Sequence, residues 1–364
     1  MIQKLNLKNF RNYENEKILL TSGNNIFFGL NGQGKTNILE GIYYLLTGKS
    51  YKAQRDQELI RWGQTDFHIF GEFNVAQRPI FLESHYVEKR KIIKINQVPC
   101  KKLSDYLGTI NVIYFSPDDL FMIKGGPLER RRFLDFHIAQ RRPSHISLIN
   151  SYNKVIQQKG ALLRTNISTN LKIDQLRLWN EQLLMIGEKI IKNRWELTER
   201  LNSVSHNIYT MLSNQKEKIN LIYISIGQEK IEKAISKFSE LLEEKMMLEI
   251  ERQIILIGPH RDDLRITLND KTARHYASQG QQRSIVLSLK LAELEIIRED
   301  KGEYPLLLLD DVLSELDSFR REYLIEFINS SSIQTLMTMT SADEAQIRAK
   351  AGFKVHQGQI RREY

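Results

Sequence analysis

Gly29-Leu30-Asn31-Gly32-Gln33-Gly34-Lys35-Thr36 fills every fixed position of the G-x-x-x-x-G-K-[ST] pattern. Before it, Asn24 to Phe28 is a short apolar run that predicts a buried strand; after it, Asn37 to Leu46 has the three- and four-residue spacing of a helix. Strand, glycine loop and helix in that order predict a phosphate cradle, because glycines at 29, 32 and 34 let backbone N–H groups turn inward at a helix start. Lys35 is expected to reach the β- and γ-phosphates of a nucleotide and Thr36 to ligate Mg²⁺, with Leu30, Asn31, Gln33 and Asn37 completing the loop.

At 364 residues the chain exceeds what one hydrophobic core usually organises, so two lobes are expected. A hydrophobic fraction of 41% and a charged fraction of 27% exclude a disordered or fibrous chain. The net charge of +9 favours an anionic partner beyond the nucleotide, most often nucleic acid. Cys100 is the only cysteine, so no intrachain disulfide can form. The N-terminus lacks a signal-peptide core and no apolar run is long enough for a bilayer, so a cytoplasmic protein without a membrane partner is expected.

Working outward, residues 2 to 8 alternate as a strand, and Asn9 to Tyr13 read as a turn whose Arg11 and Tyr13 could flank a purine base. Further strands at Ile18–Leu20, Asp66–Val75, Pro79–Val87 and Lys91–Ile95 predict an antiparallel sheet beside the nucleotide-binding one. Lys89, Arg90 and Lys91 are candidate phosphate-backbone contacts, although hairpin edges also carry lysine to discourage edge pairing. Arg130, Arg131 and Arg132 stand at a helix start, against the macrodipole, and are expected to contact phosphates, as a second candidate DNA surface, or a carboxylate across an interface, the alternative being ordinary surface arginines. Apolar spacing from Leu176 to Leu212 predicts a short helical hairpin. Gln253 to Ile257 reads as a strand, followed by a polar turn in which His260 and Arg261 could sense phosphate.

Pro305 to Val312 is an apolar strand ending in Asp310 and Asp311. One carboxylate there can organise Mg²⁺ and the next can orient or deprotonate the attacking water; Asp310 takes the first role and Asp311 the second. Ser278, Gln279, Gly280 and Gln281 open another helix facing phosphate. One nucleotide needs one P-loop, so this second helix start implies a γ-phosphate presented by another subunit. Ser314-Glu315-Leu316-Asp317 is expected to cap the helix that follows.

The order of these motifs is that of ABC-type ATPases, within which the chain resembles the RecF recombination-mediator family. The likeness spans Lys8 to Tyr13, Phe115 to Leu120, Gly126 to Asp135, Gly258 to Arg261 and Ser278 to Lys290. It implies an α/β fold: an ABC-type ATPase head with a mixed, largely parallel P-loop sheet plus an antiparallel sheet (residues 1–116 and 251–364), and an inserted, mostly helical lobe (117–250). It further implies an ATP-dependent homodimer that binds double-stranded DNA with low sequence specificity near gaps. Weak DNA-stimulated ATP hydrolysis, with ATP and Mg²⁺ bound, would let go of the DNA, and RecO- and RecR-like partners would help load RecA. Ser278 would complete the partner's site.

The catalytic Glu of the wider ABC pattern is here Asp311, one methylene shorter, which predicts slow turnover. The switch histidine is absent too, and Thr338, Thr340 or Ser341 is expected to supply a sensing hydroxyl instead. The alternatives are another ABC/SMC-like repair ATPase head, or a small-molecule kinase, which would need no Ser278 segment.

Overall fold

The computed structural model describes residues 1–341 and 348–364. In chain order the strands are β1 (Ile2–Phe10), β2 (Tyr13–Leu19), β3 (Asn24–Phe28), β4 (Phe67–Val75), β5 (Arg78–Val87), β6 (Arg90–Ile95), β7 (Val98–Pro99), β8 (Val112–Phe115), β9 (Ile219–Ile224), β10 (Asp263–Leu268), β11 (Lys271–Thr272), β12 (Leu306–Asp310), β13 (Thr335–Met339), β14 (Ala349–His356) and β15 (Gln359–Arg362). The helices are α1 (Lys35–Thr47), α2 (Phe121–Lys124), α3 (Pro127–Arg141), α4 (Ser144–Leu163), α5 (Thr169–Leu212), α6 (Ile231–Glu244), α7 (Met246–Arg252), α8 (Ala273–Tyr276), α9 (Gln279–Lys301) and α10 (Ser318–Ser330). Among the described residues no helix is long and apolar enough to cross a membrane.

The chain divides into two compact units, Met1–Asp119 with Glu293–Tyr364, and Leu120–Ala292. In the first, β8, β12, β13, β3 and β14 run parallel, with β15 antiparallel at the edge. Every residue of β8, β12 and β13 is buried, as parallel strands covered on both faces require. The second sheet, in the order β2-β1-β4-β5-β6-β7, is antiparallel. Helix α1 packs against strands of both sheets. Ile38, Leu39, Ile42, Leu45 and Leu46 of this helix are nearly or wholly shut from water. Burying each such side chain is worth about 1.5–3 kcal/mol, so the P-loop rests on a firmly packed helix.

The second unit corrects four expectations. Residues 176–212 contain no chain reversal: α5 runs unbroken for 44 residues, about 66 Å at 1.5 Å per residue. The hairpin is made instead by α4 and α5, closed by Leu162, Leu163, Leu176, Met246 and Ile255. Gln253–Ile257 is not a strand; the chain leaves α7 through Gln253 in a left-handed conformation, φ 54. The strand pair of this region is β10 with β9, the latter an alternating segment inside the stretch expected to be helical. That pairing draws 251–292 into the second unit rather than the ATPase lobe.

Arg130 is not a surface contact. Its guanidinium is 8% exposed and grips both carboxylate oxygens of Asp263 at 2.7 and 3.0 Å, with the Gly125 carbonyl at 2.9 Å. Arg131 donates to the Asp262 carbonyl at 2.6 Å. Only Arg132 projects outward, paired with Glu129 one turn away. Beneath them Arg194 of α5 holds Asp135 of α3 at 2.8 Å through two nitrogens, and His145 of α4 reaches the same carboxylate. Burial pushes Asp135 up, but Arg194 and His145 together outweigh it and hold the carboxyl below its usual range. His260 is likewise structural: its Nδ1 meets the Tyr152 hydroxyl at 2.8 Å, and burial lowers its pKa to about 4. Arg261 donates to the Ile255 carbonyl.

Candidate nucleotide site

The P-loop turns between β3 and α1 with Gly29, Gly32 and Gly34 at φ 149, 78 and 113. Two of these positions have no room for a side chain: a Cβ on Gly29 would stand 2.4 Å from the Val355 carbonyl, and one on Gly34 2.3 Å from Asn12 Nδ2. Helix α1 begins with no side-chain cap and no acid in its first turn. No side chain therefore competes with an anion at this helix start, where the Asn37 N–H already donates to the Gly34 carbonyl at 2.9 Å.

Lys35 is 8% exposed, and its ammonium folds back onto the carbonyls of Gly29 and Leu30 at 2.6 and 2.9 Å. Burial lowers its pKa, with Asp311 and Asp310 acting in the other direction. The loop is pinned from outside by residues its motif does not contain. Asn12 donates to the Gln33 carbonyl at 3.0 Å and accepts from Asn37 at 2.8 Å. The Gln357 N–H, in the β14–β15 turn, donates to the Gln33 side chain at 2.7 Å.

Asp310 ends β12 beside Thr36, whose hydroxyl donates to Oδ1 at 2.8 Å. Thr338 on β13 donates to the same oxygen at 2.8 Å and accepts the Asp311 N–H at 2.9 Å. Thr338, one of the hydroxyls anticipated around the end of β13, thus bridges the two aspartates. Thr340 and Ser341 instead help line a recess of about 320 Å³ with Phe28, Gly29, Leu30, Lys354, Val355 and His356. Asp311 sits at φ 53, a left-handed conformation uncommon for a side-chain-bearing residue. Burial raises its pKa, the Ser314 bond lowers it, and the charge of Asp310 raises it again. A hydroxyl and a carboxylate side by side are hard oxygen donors of the kind Mg²⁺ takes together with phosphate and water. Among the described residues no larger His, Cys, Asp and Glu cluster offers a competing metal cage.

The purine reading of Tyr13 is overturned: Tyr13 is wholly buried and its hydroxyl donates to the Gly34 carbonyl at 2.9 Å. Arg11 has its hydrogen-bonding edge taken by Glu40, at 2.8 Å through two nitrogens, leaving only its flat face for a base. Lys91 donates to the Gly48 carbonyl and pairs with Asp56 at 2.8 Å, so it anchors the sheet. Lys89 and Arg90 remain exposed on the β5–β6 turn.

In the second unit, Ser278 caps α9. Its hydroxyl accepts the Gln281 N–H at 3.3 Å and its own N–H donates to the Gln281 side chain at 2.7 Å, a reciprocal capping box. Ser278, Gln279 and Gly280 are exposed, and nothing lies within 4 Å of a Cβ placed on Gly280. Asp317 caps α10 through the Arg320 N–H at 2.9 Å, as its motif requires.

A mixed sheet carrying a P-loop on one strand and a paired-aspartate strand two places away, joined to an antiparallel sheet and interrupted by a helical unit, defines an ATPase head of the ABC and SMC kind. Residues 1–360 match the RecF/RecN/SMC N terminal domain family. The chain is 59% identical over 362 residues to the DNA replication and repair protein RecF of Desulfitobacterium hafniense, covering 99% of each chain. It is 42% identical to that of Natranaerobius thermophilus, covering 98% of this chain and 97% of the relative. A solved structure of the recombination mediator protein RecF-ATP in the RecFOR pathway superposes with a TM-score of 0.90 at 32% identity, over 100% of this chain and 97% of the other. This chain belongs to the RecF family.

Proposed function

We propose that this RecF-family chain, an ATP-dependent DNA repair and recombination mediator, works in the cytoplasm as a two-headed clamp in which a pair of chains shares ATP around duplex DNA. The single observation carrying this reading is the helix start at Ser278-Gln279-Gly280-Gln281, whose first three residues are exposed, capped by its own residues and open in front of Gly280. A helix N-terminus of this kind suits the γ-phosphate of a nucleotide held on a partner's P-loop.

In the bound state Lys35 exchanges the carbonyls of Gly29 and Leu30 for β- and γ-phosphate oxygens, and the loop N–H groups enclose them. Thr36 and Asp310 hold Mg²⁺, which supplies charge neutralisation at those phosphates. Asp311 orients the attacking water and accepts its proton; its short side chain makes turnover slow. Hydrolysis, stimulated by DNA, opens the clamp. The RecFOR pathway named for the structural relative supports RecO- and RecR-like proteins as further partners.

Sedimentation with ATP, ADP or no nucleotide, with and without duplex DNA, tests this reading. Dimers are expected with ATP alone or ATP and DNA. Ser278→Arg is expected to bind ATP yet stay monomeric, and an unchanged monomer in every condition would end the clamp reading. For the DNA surface, joint Lys89→Glu and Arg90→Glu substitution is expected to reduce the salt slope of binding by about 0.9 for each phosphate no longer neutralised. An identical slope would remove that turn from the interface.

A further inference from the structure

Asp310 receives three hydroxyls, and one of them belongs to no nucleotide-binding motif. Thr36 and Thr338 share Oδ1, while Tyr114, on the neighbouring strand β8, donates to Oδ2 at 3.0 Å within the protein interior. Tyr51 lies flat on the Tyr114 ring, with centroids 3.8 Å apart and planes 25° from parallel. The Tyr51 hydroxyl donates to the backbone carbonyl of Thr36 at 3.3 Å. One aromatic stack is thereby bonded to both residues that the proposed function assigns to Mg²⁺.

We propose that Tyr114 and Tyr51 are positioning residues for the metal-binding pair. Tyr114 occupies Oδ2 of Asp310 and keeps Oδ1 turned to Thr36, while Tyr51 steadies the Tyr114 ring and the Thr36 backbone. Without the Tyr114 hydroxyl, Oδ2 would lie buried with no partner among the described residues, and the carboxylate would rotate to share the donors of Oδ1. A buried acceptor left alone is costly enough to drive that rotation. The inference rests on Thr36 and Asp310 being the Mg²⁺ residues.

Tyr114→Phe keeps the ring and the stack and removes only the hydroxyl. Equilibrium binding of a fluorescent ATP analogue, titrated with Mg²⁺, reads the effect without any need for turnover. The Mg²⁺ concentration at half-effect is expected to rise about tenfold, the size of one hydrogen bond to a charged acceptor. Affinity in EDTA should match wild type, and ATP hydrolysis should recover at saturating Mg²⁺. Tyr51→Phe, which keeps the stack but loses the Thr36 hydrogen bond, should shift the same curve less. Thermal midpoints measured alongside separate positioning from packing, since a packing role lowers the midpoint and leaves the Mg²⁺ curve in place. Curves for Tyr114→Phe and Tyr51→Phe that overlay wild type would overturn the proposal while the Mg²⁺ reading stands. A wild-type protein whose nucleotide binding ignores Mg²⁺, and equals that of Asp310→Asn, would overturn both.

Discussion

Lys35→Ala lowers ATP affinity by about 100-fold, roughly the worth of two charge-assisted hydrogen bonds. The ammonium is confined by burial and, among the described residues, reaches the Gly29 and Leu30 carbonyls of its own loop. Those carbonyls mark where the charge is stored, and a phosphate entering the loop gives it two stronger acceptors in exchange. No neighbouring lysine in the loop can replace it. The fold should survive, because Asn12, Gln357 and Tyr13 pin the loop independently of Lys35. Isothermal titration with ATP and Mg²⁺ measures the loss, with the thermal midpoint as control. Near wild-type affinity in a folded variant would mean that the loop N–H groups alone hold the nucleotide.

Asp311→Asn separates holding ATP from hydrolysing it. The hydrolysis rate is expected to fall by about 100- to 1,000-fold, the usual contribution of a positioned general base. ATP binding should persist, since the Asp311 side chain is not among the groups that grip the phosphates. The backbone is expected to keep its left-handed turn, because asparagine tolerates that conformation and the N–H bond to Thr338 involves no side-chain atom of residue 311. Single-turnover hydrolysis is the direct measurement, and on the clamp reading the variant also accumulates as an ATP-loaded dimer. A rate within a fewfold of wild type would assign the water to another residue.

The glycine loop before α1, the strand ending at Asp310 and the helix start at Ser278 are legible in the sequence because glycine spacing, an apolar run and a capping serine each act within one segment. The antiparallel sheet is legible from alternation, which β4 and β5 display with their buried and half-open positions. Helix α5 escapes such a reading because a repeating apolar stripe reports a packed face and says nothing about where the chain turns back. Arg130 resembles a DNA contact in sequence because its partner, Asp263, lies 133 residues away. Tyr114 is hidden for a related reason: in Val112-Ile113-Tyr114-Phe115 it reads as one more buried ring, and only strand pairing brings it to Asp310. Spacing along the chain exposes chemistry carried by one segment; partners brought together by sheet register leave no such trace.

The central strand β3 has β13 on one side and β14 on the other, and both lie more than 300 residues further along the chain. During synthesis the first 119 residues, with the apolar faces of α1 and β3, therefore leave the ribosome long before their neighbours exist. The interposed unit can fold meanwhile, and the head closes only when the C-terminal strands arrive. A topology this non-local folds slowly and exposes sticky surface as it waits, so production of the intact head should depend on chaperone capacity more than its final stability suggests.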